Sequence, residues 1–119
     1  MRNIHHMSLA QAAKRKRPYG ALYLLATSVD GLSSLSVVAC TIRPGETTSR
    51  HHHSSEEVFF IVSGGVKLLS EGDILELKKH DVAAVMANQI HQLHNNTEED
   101  CFVLIAASPH PDRSTVTYV

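Results

Sequence analysis

One stretch constrains this chain more than any other, and it runs from Pro44 to Gly65. It opens with a Pro44-Gly45 turn and continues through a polar run that closes on His51-His52-His53. Glu57 then opens an apolar strand, Val58-Phe59-Phe60-Ile61-Val62, that ends at Gly64-Gly65. Successive side chains of an extended chain point to opposite sides. His51, His53, Glu57, Phe59 and Ile61 share odd parity and are expected on one side, with His52 and Glu56 on the other. Two imidazoles and a carboxylate converging on one side form a donor set for a first-row transition metal, with bonds of roughly 2.0–2.2 Å. The same parity makes Phe59 and Ile61 pocket-lining candidates.

The rest of the chain has the same short-strand rhythm. Turn signals at Asp30-Gly31, Pro44-Gly45, Gly64-Gly65 and Glu71-Gly72-Asp73 separate β-branched and apolar runs. Strands are expected over about 21–26, 35–42, 57–63, 66–69, 74–77, 82–86, 91–95, 101–107 and 114–119. Many short strands with frequent turns give an all-β sandwich or barrel. Val58–Val62 and Phe102–Ala106 are apolar at both parities, so both faces of those strands are expected to be covered. Before the strands, Met1 to Met7 reads as a loose end. Ser8 and Gln11 then make a capping-box pattern ahead of good helix formers, which predicts a short helix over about 9–16 that stops before Pro18. The chain divides into an N-terminal arm, 1–18, and a barrel domain, 19–119. The basic run Lys14-Arg15-Lys16-Arg17 reads as a solvated face.

Gly45, five residues, His51-x-His53, three residues, Glu57, six residues and Gly64 resemble the first motif of the cupins position for position. A second cupin motif, ending in a histidine followed four residues later by asparagine, is matched by His80 to Asn95, with His91 as its histidine. The resemblance covers about 35–109. It implies a cupin-type double-stranded β-helix (jelly-roll) barrel holding one divalent transition metal through His51, His53, Glu57 and His91. Small cupins usually pair through a sheet, so a homodimer is expected. The second motif departs in two places. Its opening glycine is His80, and its Pro-x-Gly turn reads Met86-Ala87-Asn88. Asparagine tolerates a left-handed backbone best after glycine, so Asn88 is expected to make the same turn.

Other candidates have quieter roles. His52, His80 and His94 are assigned to the surface or to support of the ligands. Asn95 is read as a turn-maker, and Leu93 shares the parity of His91 and joins the pocket candidates. Arg43 and Arg50 are read as surface charge. Cys40 and Cys101 stand far apart with no Cys-x-x-Cys pattern, which fits ordinary buried thiols in a reducing compartment, the cytoplasm. A formal net charge of −1 gives no reason to expect nucleic acid as partner, and no apolar run is long enough to span a membrane.

Four protein ligands on an octahedral metal leave about two positions for water, substrate or dioxygen. The leading functional expectation is a metal-dependent enzyme acting on a small polar molecule, foremost an Fe(II)-type oxygenase, with Glu57 and His91 as catalytic candidates. Iron is the first metal; zinc, manganese and nickel are alternatives. A Lewis-acid isomerase, cyclase or lyase on the same site is the second expectation, and a small-molecule binding or sensing module without turnover the third.

Overall fold

The turn-punctuated pattern folds into eleven strands in the computed structural model, which describes residues 4–111 and 117–119. In chain order they are β1 (Ala13–Arg17), β2 (Gly20–Ala26), β3 (Ser36–Ile42), β4 (His51–His52), β5 (Glu56–Ser63), β6 (Val66–Ser70), β7 (Asp73–Leu77), β8 (Val82–Val85), β9 (Gln92–His94), β10 (Cys101–Ser108) and β11 (Thr117–Tyr118). The main sheet has six strands in the order β1-β2-β3-β10-β5-β8. A three-stranded sheet, β7-β6-β9, and a short β4-β11 pair complete the fold. All the pairings are antiparallel. The expected last strand over 114–119 is described only for its final residues; 114–116 lie outside the described residues.

Cross-strand register carries the inner face from one side of the main sheet to the other. Leu24 of β2 pairs with Val38, Val38 with Ile105, Ile105 with Phe59, and Phe59 with Ala83. One row along, Ser36 pairs with Ala107, Ala107 with Glu57 and Glu57 with Val85. The core gathers on this face: Ile42, Phe59, Ile61, Val85 and Val103 are almost wholly excluded from solvent and pack with Leu68 and Leu93 of the smaller sheet. Alternation is clean in β10, whose odd positions are buried and even positions half-buried. The outer face is more open. Val58 is 43% exposed and Val82 61%, so the expected covering of both faces holds for the inner one only in the single chain.

The helix expected over 9–16 is not formed. Ser8 N–H donates to Gln11 Oε1 at 2.9 Å around a single 3-10 turn, Leu9–Gln11, after which Ala12 is already extended. The chain then pairs over five residues with β2. Helix preference for alanine and lysine is worth only tenths of a kcal/mol per residue. A hydrogen-bonded partner strand outweighs it. The preceding segment is also held, since His5 Nε2 sits 2.8 Å from the Leu25 carbonyl.

Tight turns set the loops that carry the site. Gly45 and Gly64 have φ of +80° and +76°, and a side chain at Gly64 would run into the Asp100 backbone. The two departures from the second cupin motif sit in the same backbone region: His80 has φ +74° and Asn88 +65°. Asn88 thus makes the turn expected of it.

Candidate metal centre

The four histidine and glutamate side chains singled out in the sequence reach one point by three different backbone routes. His51 and His91 face each other across a narrow antiparallel bridge, with His91 N–H donating to the His51 carbonyl at 2.9 Å and His51 N–H returning to His91 at 3.2 Å. Their rings are 4.5 Å apart. His53 follows two residues later and is anchored where Asn88 N–H donates to its carbonyl at 2.7 Å. Glu57 stands at the start of β5, between Ala107 and Val85. One donor atom from each of the four lies within 4.8 Å of every other, and all but His51 are buried.

The donor set fits a metal ion. Glu57 Oε1 is 2.7 Å from His53 Nε2 and 2.9 Å from His91 Nε2. Adjacent ligands on an octahedral ion at about 2.1 Å stand about 3.0 Å apart. Despite these short distances Oε1 makes no hydrogen bond of acceptable geometry; it is a buried acceptor left unpaired. A buried carboxylate oxygen in that condition is costly, and a shared cation relieves the cost. The tautomers agree. His51 Nδ1 lies 2.7 Å from the Ser49 carbonyl and His91 Nδ1 2.8 Å from the Gln89 carbonyl, so each Nδ1–H donates to backbone and leaves Nε2 as the free donor.

The electrostatics follow from the same contacts. Burial opposes ionisation of Glu57, but the His53 and His91 rings outweigh it and hold the carboxyl down at about 2. Burial pushes His51 below the usual imidazole value. Burial opposes charge on His91 too, yet Glu57 and the Gln89 carbonyl together raise it.

Of the supporting residues, Asn95 is the structural element expected. It is wholly buried, its Nδ2 donates to the carbonyls of Ile42 (2.8 Å) and Glu99 (2.7 Å), and its Oδ1 accepts from Thr97 N–H and Oγ1–H. His94 sits on the opposite side of its strand, 2.6 Å from Thr47 Oγ1. His80 stacks on Phe60 at the surface. His52 is half-buried and pairs in register with Thr117. Arg43 donates to the Pro18 carbonyl at 2.7 Å and so ties the β1–β2 turn to the first-motif loop.

A cavity of about 520 Å³ opens from the four side chains. Phe59 and Leu93 line it; Ile61 does not, being fully buried in the packed core instead. The cavity wall also includes residues that sequence reasoning placed elsewhere. Cys40 is one, with its Sγ 3.7 Å from the Tyr19 hydroxyl. Burial pushes the Cys40 thiol up to about 11, and Cys101, nearby in the core, to about 11 as well. Arg15 and Arg17 are two more. The signal that could have found them is parity: once β1 is a strand, every second residue of the basic run faces inward.

The match to known proteins bears on the fold. The family model described as "Cupin domain" matches residues 38–107, more than half of the chain. No curated protein matches. Among solved structures, the polyketide cyclase RemF from Streptomyces resistomycificus is similar with a TM-score of 0.83 and 16% identity, over 98% of this chain and 85% of that one. A sugar phosphate isomerase from a cupin superfamily of Silicibacter pomeroyi has a TM-score of 0.75 and 19% identity, over 97% of this chain and 92% of that one. A variant of oxalate decarboxylase from B. subtilis has a TM-score of 0.84 and 16% identity, over 95% of this chain but 32% of that longer one. At such identities these likenesses speak for the double-stranded β-helix fold alone. With the family model spanning both motifs, the chain belongs to the cupin family.

Proposed function

We propose that this cupin is a metal-dependent enzyme acting on a small molecule held in the cavity beside His51, His53, Glu57 and His91. The observation that carries the reading is the convergence of four ligand atoms within 4.8 Å on the wall of a 520 Å³ cavity, with a buried carboxylate oxygen left unpaired. An open metal position is what separates a catalytic from a structural site, and here the ligands face a cavity large enough for a substrate. When bound, the metal supplies either a centre for dioxygen or a Lewis acid.

The chain's own residues do the rest. The Ser49 and Gln89 carbonyls fix the His51 and His91 rings so that Nε2 points at the shared centre. Glu57 contributes the one negative charge among the four. Phe59, whose ring lies 5.9 Å from that of His91, and Leu93 exclude water from one side of the site. In this proposal Glu57 and His91 are catalytic as metal ligands in contact with the reacting centre. Fe(II)-type oxygenase chemistry is the first reading, from the ligand set with open positions. Lewis-acid isomerisation, cyclisation or decarboxylation is the second, and the similar structures favour it, being those of a cyclase, an isomerase and a decarboxylase. Pairing of two copies through the open outer face near Val58 and Val82 belongs to the proposal, and light scattering on the purified protein tests it.

Elemental mass spectrometry of untagged protein prepared without chelator tests the site, beside a His51→Ala/His91→Ala double variant. Near-stoichiometric iron, lost in the variant, with an absorbance change on adding O₂ supports the oxygenase. Zinc, nickel or manganese lost in the same way supports the Lewis acid. A folded wild type free of metal, or metal indifferent to the substitutions, overturns the proposal and leaves a binding module.

A further inference from the structure

The cavity is asymmetric in charge. Glu57 is the only acidic residue among the described residues of its wall, and it belongs to the ligand cluster. Among the described residues, the only lysine or arginine side chains on that wall are Arg15 and Arg17, both from β1. In the sheet, β1 is an edge strand with three strands between it and β5. At the usual spacing of neighbouring strands that is about 19 Å along the curved sheet.

Register explains why two of the four basic residues are there. Arg15 pairs with Leu22, and Leu22 pairs with Cys40; all three lie on the cavity wall. Lys14 and Lys16 have the opposite parity, and Lys14 Nζ sits 5.6 Å over the Tyr23 ring, away from the cavity. Neither arginine has a carboxylate oxygen within 4.0 Å among the described residues. Arg17 is half-buried and directs one N–H, from Nη1, to the Lys16 carbonyl at 3.2 Å. A guanidinium carries five N–H donors and matches planar anions bidentately. Between the arginines and the ligand cluster the wall includes the apolar side chains of Leu22, Leu24, Val38 and Ile105, with the Cys40 thiol beside Leu22.

We propose that the cavity takes an organic anion with an apolar body, its carboxylate, sulfonate or phosphate group held by Arg15 and Arg17 and its far end presented to the four metal-ligating side chains. Arg15 and Arg17 are then the residues that decide which substrates enter. This rests on the reading of the cavity as the substrate site, and it adds the charge and shape of what binds there.

Fluorescence titration with two aromatic probes of similar body separates the terms: anilinonaphthalene sulfonate, which carries the anion, and phenylnaphthylamine, which does not. An Arg15→Gln/Arg17→Gln variant is expected to bind the sulfonate about tenfold more weakly, the loss of charge-assisted hydrogen bonds, with the neutral probe unchanged. A Lys14→Gln/Lys16→Gln variant removes the same charge from the outward side and is expected to bind both probes as the wild type does. In the wild type itself, rising salt is expected to weaken the sulfonate and spare the neutral probe, which keeps the test decisive even where a variant folds badly. Equal losses in the two double variants, an arginine variant that binds the sulfonate normally, sulfonate binding indifferent to salt, or no binding to the wild type overturns the inference. The titration is run on protein as purified and after chelation, and the arginine effect is expected in both. A missing arginine effect in protein that holds metal sinks this inference and leaves the metal reading standing. An arginine effect in protein that holds no metal as purified does the reverse.

Discussion

The two ends of the cavity are built on opposite principles. At one end four side chains are fixed by packing, by backbone bridges and by two histidine-to-carbonyl hydrogen bonds, and three of the four are buried. At the other end two arginines project from an edge strand, one exposed and one half-buried. The first end is preorganised, because a metal tolerates little displacement of its ligands. The second can afford looseness, because an ion pair with a long side chain holds over a wider range of geometry. In the proposed reading, rigidity for the metal and adaptability for the substrate thus sit at separate ends of one cavity.

Substitutions break this contrast in graded fashion. The largest effect is expected at the rigid end: Phe59→Ala removes a ring that is 2% exposed, and chemical denaturation should show a loss of about 3–5 kcal/mol. Asn95→Ala leaves the Ile42 and Glu99 carbonyls without their donor, and the same assay should show a loss on the order of 3 kcal/mol. His53→Ala is expected to cost more than about a hundredfold in metal affinity, measured by competition with a chelator, since even changes behind the ligands cost ten- to hundredfold.

The pH dependence comes next. Cys40 and Cys101 are raised from 9.0 to about 11 by burial. Folding therefore favours their protonated forms, and the stability they contribute is complete below about 9 and lost as pH rises from 9 to about 11. Denaturation midpoints should fall over that window, less steeply in Cys101→Ala, and iodoacetamide should leave both thiols unmodified near neutral pH. The smallest effect is at the adaptable end, where Arg15→Ala is expected to change stability by less than about 0.5 kcal/mol. A large loss there would erase the contrast.

The same contrast decides what could be read from the sequence. The ligand end was legible because its residues lie on strands whose parity survives the Ser54-Ser55 turn: Glu57, Phe59 and Ile61 are all buried on one side of β5. His91, Leu93 and Asn95 are likewise buried together. Parity does not say where the cavity stops and solid core begins, so it points Ile61 toward a wall that this residue does not reach. The arginine end was hidden by a local signal that pointed the wrong way. Ser8, Gln11 and the alanines predict a helix, and on a helix Arg15 and Arg17 belong to a continuous charged surface with Lys14 and Lys16. What overrides that preference is the pairing with β2, which no residue within 9–16 announces.

The hairpin that makes this pairing has a further consequence. Arg17 pairs directly with Gly20, so β1 and β2 are joined by two residues only, Pro18 and Tyr19. Side chains alternate strictly along a strand. Adding or deleting one residue in that turn would rotate Lys14 and Lys16 into the cavity and send Arg15 and Arg17 out, without changing a single side chain of the strand. What the cavity prefers is therefore encoded less in which basic residues β1 carries than in the length of the turn behind it. Related chains that differ there by one position would be expected to differ in ligand while keeping His51, His53, Glu57 and His91 intact.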